Sequence, residues 1–196
     1  YAVLLPEKYN TTSESYPVVY LLHGYGDEYT AWYKDGLIQY YSDQSVAETG
    51  PMIFVMPQGF NSYYVNRHNG NLPYMDFFVT ELVPEIDALY RTKKDKTQRA
   101  VMGFSMGGYG AFKAAFLHPE LYCAAASFSG VLSLQILRAM PNDPRREEFA
   151  LLFGDLEKLS GSEHDPALWL ERAAKNPAAL PRLFISVSRQ EDIYPL

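Results

Sequence analysis

The sequence has little of what several classes of protein need. Its one cysteine, Cys123, excludes an internal disulfide framework but does not decide between the cytosol and an oxidising compartment. No apolar run approaches the roughly 18 residues of a membrane-spanning helix, and no signal-peptide pattern opens the chain. A net charge of −6 without a long basic run argues against nucleic acid or an anionic membrane surface as the main partner. Small neutral or polar ligands fit this balance, and the compartment stays undetermined.

The composition is otherwise that of a globular protein, with 47% hydrophobic and 20% charged residues in a chain of 196, a length that fits one domain. Short apolar runs alternate with helical patterns, and several runs have the continuous β-branched character of strands buried on both faces. This alternation predicts an α/β fold with a mainly parallel sheet and helices on both faces. The predicted strands lie at residues 1–5, 17–22, 52–56, 98–102, 121–130 and 183–187.

Helical spacing is clearest at residues 74–89, where we expect Pro84 to kink or divide the helix. A weaker helical pattern covers residues 36–49. Asp165 and Pro166 have the character of an N-cap and first-turn pair for a helix over residues 167–174. Residues 131–160 are mixed in character, and we interpret them as a lid or insertion over the functional site.

The residues around Ser105 carry the strongest chemical signal. An apolar run precedes this serine and small residues follow it, in the order Gly103-Phe104-Ser105-Met106-Gly107. A G-x-S-x-G sequence between a strand and a helix is the pattern of a nucleophile elbow, which exposes a serine hydroxyl above the sheet. Such a motif also occurs by chance in ordinary turns, so the strand–turn–helix context is what the prediction depends on.

Beyond the elbow, the chain resembles the esterase D and feruloyl esterase group of α/β-hydrolases, which includes S-formylglutathione hydrolases and carbohydrate acetyl and feruloyl esterases. The stretches that carry the resemblance are residues 5–9, 23–26, Trp32, 77–84, 103–111 and 128–130. This resemblance implies an α/β-hydrolase fold and serine esterase chemistry without a metal or an organic cofactor. The elbow supplies one oxyanion-hole N–H, that of Met106, the residue after the nucleophile, and the resemblance implies a second, that of Tyr25.

In serine esterase chemistry a histidine removes the proton from the nucleophile and a carboxylate orients that histidine, in the chain order serine, acid, histidine. Asp192 is the best candidate acid, with Glu191 as its competitor because Arg189 stands where the family has a glycine. No histidine follows Asp192. We therefore expect the histidine beyond residue 196, in a chain trimmed at both ends and lacking its last strand and helix region. The alternative is a hydrolase-like protein without a base.

The remaining histidines precede the acid. His23 follows a buried strand and favours a structural hydrogen-bonding role. His68 lies in a loop, His118 lies at a helix end, and His164 is interpreted as loop surface. No set of ligands with metal-site spacing accompanies them.

The substrate is less well defined by the sequence. Tyr63, Tyr64 and Asn66 follow a strand end, where they would either line a binding site or simply pack. A carbohydrate-linked acetyl or feruloyl ester is the leading prediction, followed by a small thioester such as S-formylglutathione. Acyl transfer would use the same residues, whereas a binding protein without catalysis is the alternative of a different class.

Overall fold

A six-stranded sheet organises the computed structural model, which describes residues 1–188 apart from the side chains of residues 138 and 139. The strands are β1 (Ala2–Leu4), β2 (Val18–Leu22), β3 (Ile53–Met56), β4 (Arg99–Phe104), β5 (Ala124–Phe128) and β6 (Arg182–Ser186). Their order across the sheet is β1-β3-β2-β4-β5-β6. Only β1 among these runs antiparallel, at the edge beside β3, and the other neighbours are parallel. The predicted α/β class is confirmed.

Eight α-helices connect the described strands: α1 (Ala31–Lys34), α2 (Ile38–Thr49), α3 (Tyr74–Phe77), α4 (Val83–Leu89), α5 (Met106–Leu117), α6 (Gln135–Ala139), α7 (Arg146–Phe153) and α8 (Pro166–Ala173). The larger apolar core lies between the sheet and the helices that include α4, α5, α7 and α8. All residues of β2 and β3 are buried, as their continuous apolar sequences predict. No helix within residues 1–188 combines the length and the apolar character needed to cross a membrane.

The helical segment at residues 74–89 is divided, as expected from Pro84, but through a π-helical stretch at Phe78–Leu82. The Val83 N–H donates to the Phe78 carbonyl, five residues earlier. Pro84 has no N–H to donate, and its ring would meet the Thr80 carbonyl in a regular α-helix. The wider π turn removes that clash, and α4 then begins with the proline in its first turn.

The start of α8 agrees with the predicted cap. Asp165 has extended backbone angles, and its side chain accepts a hydrogen bond of 2.9 Å from the Ala167 N–H. This bond satisfies one of the N–H groups that a helix leaves unpaired in its first turn.

Candidate active site

Ser105 occupies a sharp turn between β4 and α5. Its backbone angles are φ 52° and ψ −116°, a strained conformation for a residue with a side chain. The Ser105 N–H donates to the Phe128 carbonyl at 2.9 Å, and its carbonyl accepts from the Tyr109 N–H at 3.2 Å. The side chain is half-buried. The chain therefore has the strand, turn and helix that a nucleophile elbow requires, at the predicted residues.

One glycine on each side of the serine makes this turn sterically feasible. A Cβ on Gly103 would lie 2.2 Å from the Gly107 carbonyl oxygen, and a Cβ on Gly107 would lie 2.2 Å from the Leu22 carbonyl oxygen. Because both obstacles are backbone atoms, no side-chain movement would relieve them. The close approach of α5 to β4 and β2 therefore requires glycine at both positions.

The loop after β2 lies beside the turn at Ser105, because β2 and β4 are neighbouring parallel strands. In this loop the Gly24 N–H donates to Asp27 Oδ2 at 3.2 Å, and the Gly26 N–H donates to Asn61 Oδ1 at 2.9 Å. The Tyr25 N–H, between them, has no acceptor within residues 1–188, and neither has the Met106 N–H at the start of α5. These are the two N–H groups that the sequence predicts for an oxyanion hole, Met106 from the elbow and Tyr25 from the resemblance.

Asp27 and Asn61 are site-supporting residues that the sequence analysis missed. A weak local signal for Asp27 was present, because an aspartate side chain in a loop can accept a hydrogen bond from the backbone three residues earlier. Asn61 had no such local signal, since its partner Gly26 lies 35 residues away.

The His23 side chain is buried, with 1% of its surface exposed, and it connects the loop after β2 to the loop after β3. Its Nε2 accepts from the Gly59 N–H at 2.8 Å, which leaves Nδ1 as the donor to the Gly24 carbonyl at 2.8 Å. The Gln58 side chain also lies 2.8 Å from Nε2. Both ring nitrogens are therefore engaged by the loops, as the structural interpretation of His23 predicts.

The other histidines lie in different surroundings, and within the described structure none of them hydrogen-bonds to Ser105. His118 ends α5 and lies near a surface glutamate. His164 is buried rather than on the loop surface, which corrects the sequence interpretation, and its Nδ1 lies 3.0 Å from Lys113 Nζ. Burial, followed by the charges of Lys113 and His68, lowers the pKa of His164 to about 3. A neutral histidine therefore packs here at neutral pH.

The three candidate substrate-lining residues have other contacts. Tyr64 is fully buried, and its hydroxyl donates to the His23 carbonyl at 3.1 Å. Tyr63 is 5% exposed and packs edge-on against Phe153 at a centroid distance of 5.4 Å. Asn66 Oδ1 accepts from the Asp76 N–H at 3.1 Å. These contacts support the packing alternative for the two tyrosines.

The candidate acids, Asp192 and Glu191, lie outside the described residues. The strand that leads towards them, β6, ends at Ser186 beside β5, and the Ser186 carbonyl accepts from the Ser129 N–H at 2.7 Å. Within residues 1–188, no group of three histidine, cysteine, aspartate or glutamate side chains is arranged to hold a metal ion.

Comparisons with known proteins agree with this geometry. The family model described as "Putative esterase" matches residues 1–193. Esterase Rv1288 of Mycobacterium tuberculosis (strain ATCC 25618 / H37Rv) is 36% identical over 137 residues, which cover 68% of this chain and 29% of that protein. The chain thus spans less than a third of the length of this curated relative.

Two solved structures show the same fold at higher coverage. S-formylglutathione hydrolase FrmB from Staphylococcus aureus superposes with a TM-score of 0.76 at 26% identity, covering 93% of this chain and 70% of that one. A ferulic acid esterase superposes with a TM-score of 0.72 at 25% identity, covering 95% of this chain and 83% of that one.

Proposed function

Because the chain belongs to this esterase family, we propose that it hydrolyses carboxylic esters through an acyl-enzyme formed on Ser105. The observation that carries the proposal is the strained turn at Ser105, which sets a half-buried hydroxyl at the start of α5. Attack by Ser105 Oγ on the ester carbonyl carbon gives a tetrahedral oxyanion, which expels the alcohol and leaves the acyl group on the serine. Attack by water then releases the acid and restores the hydroxyl.

Backbone groups are available for the negative charge of that intermediate. The N–H groups of Met106 and Tyr25 have no acceptor within residues 1–188, and we assign them to the developing oxyanion. The helix dipole adds to this effect, because α5 is 12 residues long and begins directly after the serine. Loss of one such donor commonly lowers kcat by about 10²–10³.

The proton acceptor and the acid stay predictions. The chain order of an α/β-hydrolase assigns the acid to Asp192 and the histidine to a later position. This assignment is consistent with the described histidines, because His23 is engaged by two loops and His164 by Lys113.

For the substrate, a carbohydrate-linked acetyl or feruloyl ester is the leading proposal, and the similarity to a ferulic acid esterase supports it. A thioester of the S-formylglutathione type is the second candidate, supported by the similarity to FrmB. Acyl transfer to a sugar would require no different residues, and product analysis with a sugar acceptor present distinguishes it from hydrolysis.

The test uses the chain extended past residue 196 to include the predicted histidine, and compares its turnover of p-nitrophenyl acetate, methyl ferulate, acetylated xylan and S-formylglutathione. The variant Ser105→Ala should lower kcat by at least about 10³-fold, whereas Ser133→Ala, at an exposed serine outside the elbow, should leave it unchanged. Absence of Ser105-dependent turnover together with absence of fluorophosphonate labelling at Ser105 would favour a binding protein. Turnover by the 196-residue chain at the rate of a complete esterase would show that an internal histidine serves as base.

A further inference from the structure

The side chain of Tyr25 is held by the segment that the sequence analysis interpreted as a lid or insertion. Its hydroxyl donates to Glu148 Oε2 on α7. Arg145, one residue before α7, places its guanidinium carbon 5.4 Å from the centre of the Tyr25 ring. The Phe149 ring packs against the same tyrosine at a centroid distance of 6.2 Å. We call these three residues of the α7 region the Tyr25 clamp.

The clamp is itself well anchored. Arg145 forms a bidentate pair with Asp143, with Nε–Oδ1 and Nη2–Oδ2 distances of 2.9 and 2.6 Å. Phe149 is 2% exposed within the main core. The Glu148 carboxylate accepts its hydrogen bond from the Tyr25 hydroxyl. Hydrogen bonds of this charge-assisted type are stronger than neutral ones. The tyrosine side chain is thus held at its far end by three contacts with the α7 region.

The same residue supplies the unengaged N–H of the loop after β2. The N–H groups of its neighbours, Gly24 and Gly26, donate to the side chains of Asp27 and Asn61. Those bonds hold the loop on both sides of Tyr25, and the clamp holds the tyrosine side chain. These three sets of contacts restrain the backbone on both sides of Tyr25 and its side chain, although none of them touches the Tyr25 N–H.

We propose that Glu148 is a positioning residue, which aims the Tyr25 N–H at the oxyanion by holding the Tyr25 hydroxyl. The inference rests on the proposed esterase function. Donors of this kind act only when they are held within about 0.5 Å of the productive geometry, and a misplacement of about 1 Å costs on the order of 10² in rate. Residues 131–160 therefore contribute to the chemistry through α7 as well as covering the core.

Kinetics and NMR test the proposal on matched variants of the same extended chain, which includes the predicted histidine. Glu148→Ala removes the acceptor, Glu148→Gln keeps a neutral acceptor, and Glu147→Ala removes the exposed neighbouring carboxylate on the same helix. With p-nitrophenyl acetate, Glu148→Ala should lower kcat about tenfold with KM within about twofold, because an interaction of the transition state is weakened. Glu148→Gln should recover most of that loss, and Glu147→Ala should match the wild type.

The double variant shows whether the effect acts through the tyrosine. Tyr25→Phe should lower kcat by the same factor as Glu148→Ala, and combining the two should lower it no further. A loss that adds in the double variant, or equal kcat values for Glu148→Ala and Glu147→Ala, would overturn the positioning role.

A second readout does not depend on turnover. The ¹⁵N order parameter of the Tyr25 N–H should be near 0.85 in the wild type and in Glu147→Ala, and should fall below about 0.7 in Glu148→Ala. An unchanged order parameter in Glu148→Ala contradicts the clamp even if the chain shows no esterase activity. Failure of the esterase function itself is recognised separately, by a wild-type chain without Ser105-dependent turnover.

Discussion

Acidification should destabilise this protein through His164, well before most carboxylates titrate. His164 is 6% exposed, with its Nδ1 3.0 Å from Lys113 Nζ and its ring 5.2 Å from the centre of the Phe153 ring. Burial first, and then the charges of Lys113 and His68, lower the pKa of His164 to about 3. An unfolded histidine has a pKa of about 6.5.

The sign follows from proton binding. Between pH 6.5 and pH 3 the unfolded chain binds a proton at His164 that the folded chain does not, so the free energy of unfolding falls as the pH falls. This contribution to stability is fully present above pH 6.5. With these two pKa values, lowering the pH from 7 to 5 reduces the free energy of unfolding by about 2 kcal/mol.

Urea denaturation at pH 7, 6 and 5 measures the effect. The variant His164→Asn keeps a hydrogen-bond acceptor near Lys113 but cannot titrate, so its stability should fall by about 2 kcal/mol less than that of the wild type over this range. His118→Asn removes a histidine that is 29% exposed and serves as the control. If the wild type and His164→Asn lose stability in parallel, the histidine is not held neutral and the reasoning is wrong.

Three further predictions concern single side chains. Gly107→Ala should destabilise the fold by more than about 3 kcal/mol in urea denaturation, because its Cβ would lie 2.2 Å from the Leu22 carbonyl oxygen, whereas Gly161→Ala, in open space at φ 73°, should cost about 1 kcal/mol. Burial lowers the pKa of Lys113 to about 8, so stability from this group rises as pH rises. Between pH 7 and pH 9 the wild type should gain about 1 kcal/mol relative to Lys113→Met, and a constant difference would show that the lysine titrates normally. Asp165→Ala should lower the free energy of unfolding by about 1 kcal/mol through loss of the cap on Ala167, an effect that a two-state urea curve resolves.

Local sequence was sufficient for the sheet, the strand–turn–helix at Ser105 and the start of α8. A continuous apolar run identifies a strand buried on both faces, and a G-x-S-x-G sequence after such a run identifies the turn at Ser105, because these signals depend on neighbours in the chain. Pro84 was enough to predict that the helix at residues 74–89 is divided. It was not enough to predict that a π-helical stretch divides it. The π turn depends on how the helix packs, which a single proline does not specify.

Contacts between distant residues account for what the sequence did not predict. Tyr64 fills space left by two glycines: a Cβ at Gly59 or Gly110 would lie 2.5 Å from its ring atoms. His164 is buried by a contact with Lys113, 51 residues away in the sequence. A tyrosine or a histidine in a polar loop has the same local pattern whether it faces solvent or the core, so only the fold separates the alternatives.

The contacts of α7 and of the residues before α8 bear on whether residues 131–160 act as a lid. Glu148 bonds to Tyr25 in the loop after β2, and a few residues past this segment the His164 carbonyl accepts from the Tyr109 hydroxyl on α5 at 2.9 Å. The second contact is buried beside Lys113 and Trp169, so opening the segment at that end would expose polar groups that are paired in the closed fold. A freely moving lid would not be bonded in its middle to the loop after β2 and, just past its last residue, to the helix that follows the proposed nucleophile. These contacts favour a fixed segment over a mobile lid, and through Glu148 any displacement of α7 would also displace Tyr25.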